Sequence, residues 1–260
     1  MSGSLDKVKS TFRNLVLGLG PIVILLVFWE VSVRTGLIKA LFLPPFSEVV
    51  AKFWESLNNG DLLENFSVSL KRMSLGYVYG AGSAILFGLV VGLSRTLRAF
   101  FSPIVAAIYP LPKIALLSLF IVIFGVGDPP IIASVAVSTF FPVLLNTLAG
   151  VSSVDPILIR AAQDLGASKS QVTFKVVLPG ALPLIFTGMR QSAAVALIVV
   201  VAVEMYIGQN GAGHQLAWAT QFYDINLLYA YIVAIGLFGI ILFKAIDAIE
   251  AWLLPWKTGQ

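Results

Sequence analysis

The sequence predicts an all-α, polytopic membrane protein with about six transmembrane helices, and three observations carry that expectation. Hydrophobic residues make up 58% of the 260-residue chain and charged residues 12%, with a mean hydropathy of +0.93. Soluble domains run near 45–50% apolar and about 25% charged. The apolar residues also gather into runs of about 20, the length a helix needs to cross roughly 30 Å of hydrocarbon. Between the runs lie polar breaks rich in Gly and Pro, such as Gly125-Val126-Gly127-Asp128-Pro129-Pro130. This pattern excludes a cytosolic enzyme, a nucleic-acid-binding domain and a disordered chain. The chain has no Cys and one His, so disulfides, thiolate chemistry and a Cys or His metal site are excluded with them.

The elements follow in order. Residues 1–14 are polar and basic, with Lys7, Lys9 and Arg13, and precede an apolar run from Leu15 to Val33. No small-x-small cleavage site follows, and Trp29-Glu30 closes the run, so it reads as an uncleaved first span rather than a signal peptide. Residues 34–73 form an outer loop, in which Pro44-Pro45 breaks any helix, Phe46 to Leu57 is a short amphipathic surface helix and Asn58-Asn59-Gly60-Asp61 is a turn. The second span covers Ser74 to Leu93, where Gly76, Gly80, Ala84, Gly88 and Gly92 recur at every fourth position. On a helix they form a winding groove of small residues that lets another helix approach closely. The third span, Ala99 to Phe124, is interrupted at Pro110-Leu111-Pro112-Lys113; the fourth covers Ile131 to Val151, the fifth Leu184 to Ile207, and the last Leu227 to about Leu254. Residues 208–226 form a polar outer loop without Lys or Arg, and Trp252 and Trp256 anchor the end of the last span at an interface. The chain shows no internal repeat, no low-complexity tract and no second domain; residues 74–256 read as one core.

An even number of spans places both termini on one side, and the excess of Lys and Arg in cytoplasmic loops chooses which. With the termini inside, the inner segments hold Lys7, Lys9, Arg13, Arg95, Arg98, Arg160, Lys169, Lys175, Arg190, Lys244 and Lys257, eleven against the five outer residues Arg34, Lys39, Lys52, Lys71 and Arg72.

The polar segment 152–183, between the fourth and fifth spans, is the most informative. Asp155-Pro156 is a helix start with an N-cap acceptor and Pro at the first position. Leu165-Gly166 ends that helix with a left-handed cap, and Ser168-Lys169-Ser170-Gln171 opens, through a capping box, another that runs to Leu178 and stops before Pro179. This well-capped helix–Gly turn–helix, held on the cytoplasmic side, suits docking of another protein. Arg160-Ala161-Ala162, then Gly166, then Val176-Val177-Leu178-Pro179 resembles, with its spacing intact, the cytoplasmic signature of ABC-importer permeases. Arg160 stands where that family usually has Glu. Tyr109-Pro110-Leu111-Pro112-Lys113-Ile114-Ala115-Leu116, Phe124-Gly125-Val126-Gly127, Glu204-Met205 and Leu253-Leu254-Pro255-Trp256 resemble the nitrate/sulfonate/taurine/bicarbonate branch, with Ser118 where that branch commonly has Pro.

The resemblance implies a type I ABC importer (MetI-like) permease fold in the cell inner membrane. It implies a homodimer with a second permease copy, two ABC ATPase subunits and a substrate-binding protein at the outer loops, with no cofactor on this chain. It places Arg160, Ala161, Ala162, Asp164, Leu165, Gly166, Ala167 and Ser168 against the ATPase. The implied solute is a small oxyanion such as nitrate, bicarbonate or an alkanesulfonate, with a vitamin precursor such as a thiamine pyrimidine or riboflavin as the alternative.

Two readings stand for Lys113, some 21 Å into a third span rising 1.5 Å per residue. It lines the translocation pathway, attracting an anion or pairing with an acid at a gate, or it snorkels to the headgroups. The neighbouring Tyr109 and Pro112 share the pathway reading, because Pro frees backbone carbonyls that only a cavity or protein interior accommodates. Glu204, the one acid well within the fifth span, pairs with Lys113, caps a helix end or simply reaches the outer interface; the structural ion pair is the favoured reading, because an unpaired carboxylate there is expensive. Arg190 reads as a snorkelling cation or an inner-gate contact, and Lys71 and Arg72 as outer-surface residues. His214, beside Gln209, Asn210 and Gln215, is expected as a solvated loop histidine, and Asp164 as an exposed helix residue. No catalytic constellation and no phosphate-binding loop is present, so ATP hydrolysis belongs to a partner. An ion-coupled secondary transporter is the competing class; such proteins carry interrupted helices in matching halves, and only one interrupted helix is evident here.

Overall fold

The computed structural model describes residues 20–254, and no strand occurs among them. The residues group into two compact units, one made of the stretch up to Leu62 with Trp218–Ala234, the other of Leu63–Ala217 with the chain from Ile235 onward.

In the first unit, helix α1 occupies residues 20–34; the beginning of the apolar run expected from Leu15, like the basic segment before it, lies outside the described residues. Helix α2, Phe46–Asn58, follows an irregular stretch that side chains hold in place. The Trp29 indole donates to the Pro44 carbonyl at 2.8 Å and its ring lies 5.4 Å from that of Phe46. Glu30 accepts from Arg34 at 2.5 Å and from the amide and hydroxyl of Ser47 at 3.1 and 2.9 Å. Pro44-Pro45 cannot continue a helix, so these contacts fix the corner between α1 and α2. Gly60, with φ of 90°, makes the expected turn.

Helix α3 runs from Asp61 to Leu93, beginning well before the second span expected at Ser74. The apolar run marks only the part suited to lipid; the helix itself starts where the Asn59 side chain accepts the Asp61 amide at 3.0 Å. Helix α4 spans Arg95–Ile108 and α5 Leu117–Phe124, with a 3₁₀ turn at Lys113–Leu116 between them. The segment from α4 to α5 bends by 86°. Pro110 and Pro112 remove two amide donors there and fix their own φ, so the third apolar segment is a broken element. The depth inferred for Lys113 along a straight helix is therefore corrected.

Helix α6 covers Asp128–Ser153 and α7 Pro156–Asp164. Next come α8, Lys169–Val172, a π turn at Thr173–Val177 and α9, Leu178–Ile207, forming one continuous helix of 39 residues. The helix expected to stop before Pro179 does not stop. The π turn shifts the hydrogen-bond register, with the Leu178 amide reaching the Thr173 carbonyl, and Pro179 falls in the first turn that follows. The loop expected over 208–226 contains helix α10, Ala212–Gln221, before α11, Ile225–Leu253. Four helices are long and apolar enough to cross a membrane, α3, α6, the α8–α9 rod and α11, and the bent α4–α5 pair brings the number to five among the described residues.

In the second unit α6 is gripped from two sides, by α3 and by α9, and small residues make both approaches. The stripe on α3 faces α6. A Cβ added to Gly76 would stand 2.7 Å from the Ile132 carbonyl oxygen, one on Gly88 2.7 Å from the Thr147 methyl and one on Gly92 2.9 Å from Val151 Cβ. At Gly80 it would overlap the Ala136 carbonyl oxygen and the Thr139 hydroxyl, and Ala84 is fully buried. On the α9 side, a Cβ on Gly150 would lie 2.8 Å from the Ala181 carbonyl oxygen. Close backbone approach of this kind gains van der Waals contact where lipid offers no hydrophobic drive for association. Toward one end of α6 the core comprises Met73, Leu117, Ile131, Val135, Ala196, Val200 and Val203; toward the other, Val151, Val154, Val172, Val177, Ala181 and Ile185.

Gly80→Val is expected to lower stability by about 1–3 kcal/mol or more, since a rigid carbonyl blocks the new side chain. Gly82→Val, on the same helix with nothing within 4 Å of an added Cβ, is expected to cost far less. Thermal unfolding of the purified variants in detergent checks this; equal losses would contradict the packing described.

Candidate functional site

The segment around α7 is built as a rigid projection. The Asp155 carboxylate accepts the Ile157 amide at 2.8 Å and Pro156 occupies the first turn. The helix closes with Ala167 N–H on the Ala162 carbonyl at 3.0 Å and Gly166 N–H on the Gln163 carbonyl at 2.9 Å. This is the doubly bonded Schellman ending, and it needs the φ of +83° that Gly166 supplies. Directly after it, Ser168 and Gln171 exchange side-chain and backbone bonds at 2.8 and 3.3 Å in a complete capping box. Ile159, Ala162 and Ala167 pack inward against the cluster of Val151, Val154, Val172 and Val177. The other face is bare: Ile157, Leu158 and Ala161 are exposed, Leu165 is 89% exposed, and Arg160, Asp164 and Ser168 are exposed as well. A short helix locked at both ends, with one apolar face packed and another open, can transmit a push without deforming.

A second feature is a buried ionic node at the opposite ends of α6 and α9. Glu204, fully buried, accepts from Arg72 Nη1 at 2.8 Å, from the Ser69 hydroxyl at 2.7 Å and from the Gly213 amide at 3.0 Å. The Arg72 side chain is 5% exposed. Its Nε donates to Asp128 at 2.8 Å, and it reaches the Asn210 carbonyl at 2.8 Å and the Asn210 side-chain oxygen at 2.6 Å. The Gly211 amide donates to Asn65 at 2.9 Å and the Ala212 amide to Ser69 at 2.8 Å. The free amides at the start of α10 thus end on carboxylate, hydroxyl and amide oxygens, which satisfies the orphan donors of a helix N-terminus. Gly211, at φ +107°, lies so close to the node that an added Cβ would stand 2.6 Å from the Glu204 carboxyl.

This corrects three expectations. Glu204 is in a structural ion pair, but its partner is Arg72 and not Lys113. Arg72 is no surface residue, because a guanidinium with two carboxylates and a carbonyl to bind is stable in the interior where a bare one is not. His214 lies in the first turn of α10, half-buried, and not in an open loop.

The remaining candidates are dispersed. Lys113, half-buried on the 3₁₀ turn, donates to the Tyr109 carbonyl, and its ammonium lies 4.8 Å from the Tyr109 ring centroid and 5.2 Å from that of Phe141. Two aromatic faces give the cation an attractive site without a carboxylate. Tyr109 and Pro112 are exposed beside it. Arg190 binds Asp247 at 2.6 Å and Glu250 at 2.5 Å on α11, so its charge is paired within the protein. Lys113, Glu204 and Arg190 therefore do not converge on one site. Sequence reasoning missed Asp128 and Asn210 as partners of Arg72, Ser69 as a donor to Glu204 and Asn65 as the acceptor of the Gly211 amide. It also missed Asn146, whose side chain donates to the Pro142 carbonyl at 2.8 Å and to Gln191 at 3.2 Å. The available signal was a polar residue inside an apolar run.

Comparison with known proteins decides what this architecture belongs to. The family described as "Binding-protein-dependent transport system inner membrane component" matches residues 84–258. The chain belongs to that family. The taurine transport system permease protein TauC of Escherichia coli (strain K12) is 34% identical to this permease over 249 residues, 94% of this chain and 90% of its own. The putative aliphatic sulfonates transport permease protein SsuC of Bacillus subtilis (strain 168) is 30% identical over 235 residues, 90% of this chain and 85% of its own. Among solved structures, an inward facing MetNI methionine ABC transporter superposes with a TM-score of 0.63 at 20% identity, covering 73% of this chain and 94% of its own, and shows the same fold. This permease is thus an all-α inner-membrane component of an ABC importer and not itself an enzyme, which sets aside the ion-coupled alternative.

Arg72→Met is expected to destabilise the permease by about 3–5 kcal/mol, because it leaves the Glu204 carboxylate buried and unpaired. The double variant Arg72→Met/Glu204→Leu is expected to recover a large part of that loss. Denaturation midpoints of the three variants in detergent test this, and a double variant no more stable than the single one would show that charge pairing is not what the node supplies.

Proposed function

We propose that this permease carries a small sulfonate-type oxyanion inward, with taurine and short alkanesulfonates as the first candidates. It works as one of two identical copies with two ATPase subunits and an outer binding protein. The observation that carries the reading is the doubly capped α7 projection with its bare apolar face. Ile157, Leu158 and Leu165 together expose apolar surface on and beside this one short helix, Leu165 being 89% accessible beside the Gly166 turn, and such a patch suits a partner that covers it. The ATPase pair closes on ATP, the projection moves as a rigid piece with the helix rod it is joined to, and the spans alternate between outward and inward openings. The distribution of Lys and Arg supports six spans with both termini and the α7 segment in the cytoplasm. The identity to taurine and sulfonate permeases over nearly the whole chain supports the solute class. Lys113, cushioned by aromatic rings and in no salt bridge among the described residues, is suited to meet an anion on its way, and the Asn146–Gln191 pair offers hydrogen bonds without a charge that would hold the anion back.

Gly166→Val is expected to break the turn, whose φ a β-branched residue resists, and to uncouple ATP hydrolysis from uptake in proteoliposomes; normal coupling would rule out this placement of the ATPase contact. In the same assay, labelled taurine uptake is expected to be competed by alkanesulfonates far better than by nitrate or bicarbonate, and the reverse order would overturn the solute class. Lys113→Met is expected to reduce uptake of the anion severalfold with ATPase docking unchanged. Unaltered kinetics would remove Lys113 from the pathway.

A further inference from the structure

One cleft, bordered by the α7 projection, is strongly cationic, and the function proposed above does not account for its charge. Its volume is about 360 Å³, and the ends of three long helices meet there, α3 at Gly92 and Leu93, α6 at Val151 and Ser152, and α9 through Val177 just before it. Arg95, Arg98 and Arg160 line it together with Gln163, and no carboxylate does. Among the described residues none of the three guanidiniums is in a salt bridge, whereas Arg72 and Arg190 each hold two. Arg98 donates through one terminal nitrogen to the Gly92 carbonyl, while its Nε is buried without any hydrogen-bond partner. The helices α4 and α7 both begin at this cleft, with Arg95 and Pro156 in their first turns, so two positive helix ends add to the three charges. The nearby cap carboxylate, Asp155, is occupied by the Ile157 amide. Three like charges around one cavity repel one another, and a buried donor without a partner is costly. A bound anion removes both penalties.

We infer that the Arg95–Arg98–Arg160 cleft binds a tetrahedral oxyanion headgroup, phosphate or sulfonate, and through Arg160 ties the position of α7 to its occupancy. Guanidinium forks match the oxygens of such groups in pairs. The group comes either from a phospholipid or from a free anion; the lipid source rests on the bilayer orientation proposed above, which puts the cleft at headgroup level.

The test uses the full-length chain in phosphatidylcholine nanodiscs, with inorganic phosphate titrated against chloride of equal ionic strength and the unfolding midpoint as readout. A saturable rise is expected for the unaltered chain and for Arg95→Lys/Arg98→Lys/Arg160→Lys. The site is expected to bind about tenfold more weakly in Arg160→Gln, and the rise to vanish in Arg95→Gln/Arg98→Gln/Arg160→Gln. In phosphatidylglycerol nanodiscs, loss of the phosphate response supports a lipid headgroup as occupant, and its persistence supports a free anion. Absence of a saturable response in the unaltered chain, or an equal response in Arg160→Gln, overturns the inference. So does a phosphate-insensitive chain in which Arg160→Gln weakens only ATPase binding, since the cleft is then a protein contact. None of these readouts depends on the identity of the transported solute.

Discussion

The structure depends most on a single buried guanidinium. Arg72 binds Glu204, Asp128 and Asn210 at once, and these residues belong to α3, the C-terminal end of α9, the first turn of α6 and the link into α10. A charge in a low-dielectric interior is tolerated only when partners surround it, and its geometry is then strict. The node therefore sets where four elements end relative to one another. Asp128, the more accessible carboxylate, keeps one side of the node in contact with water, while Glu204 is wholly enclosed. The pair contributes specificity of arrangement more than net stability.

Away from the node the helices are held by shape. Gly76, Gly80, Gly88 and Gly92 present a furrow into which Ile132, Val135, Thr139, Thr147 and Val151 of α6 fit. Because the furrow is lined by backbone, the contact has little room to adjust. Such an interface shifts as a block or not at all. The far end of α9 is joined without interruption to the α7 projection's neighbour α8, so displacement at the projection acts on a long rod and not on a loop.

The sequence made the apolar spans, the helix–Gly turn–helix, the small-residue stripe and the Pro-rich break legible, because each has a local cause: burial in lipid, capping, close approach, or a missing amide. What it left hidden was non-local. Glu204 was readable as an ion-paired carboxylate, but nothing in its neighbours points to a residue 132 positions away. Arg72 looked like the basic start of a span because hydropathy placed that start at Ser74, whereas the helix had begun at Asp61. Lys113 was given a depth on the assumption of a straight helix, and the 86° bend removed it. Pro179 looked like a stop because a lone Pro usually is one; the π turn before it could not be seen in composition.

That π turn, Thr173–Val177, accommodates one residue more than an ordinary helical turn. Shortening the chain by one residue there would restore regular α-helix without breaking the rod. The Leu178 amide would keep the Thr173 carbonyl as its partner, now as an ordinary i−4 bond, so the residues on either side would keep their facing. The surplus residue is thus absorbed where it stands: the direction in which Leu165 faces and the course of the membrane shaft are both indifferent to it, so this stretch is one place where the chain can change length by one residue without turning the projection.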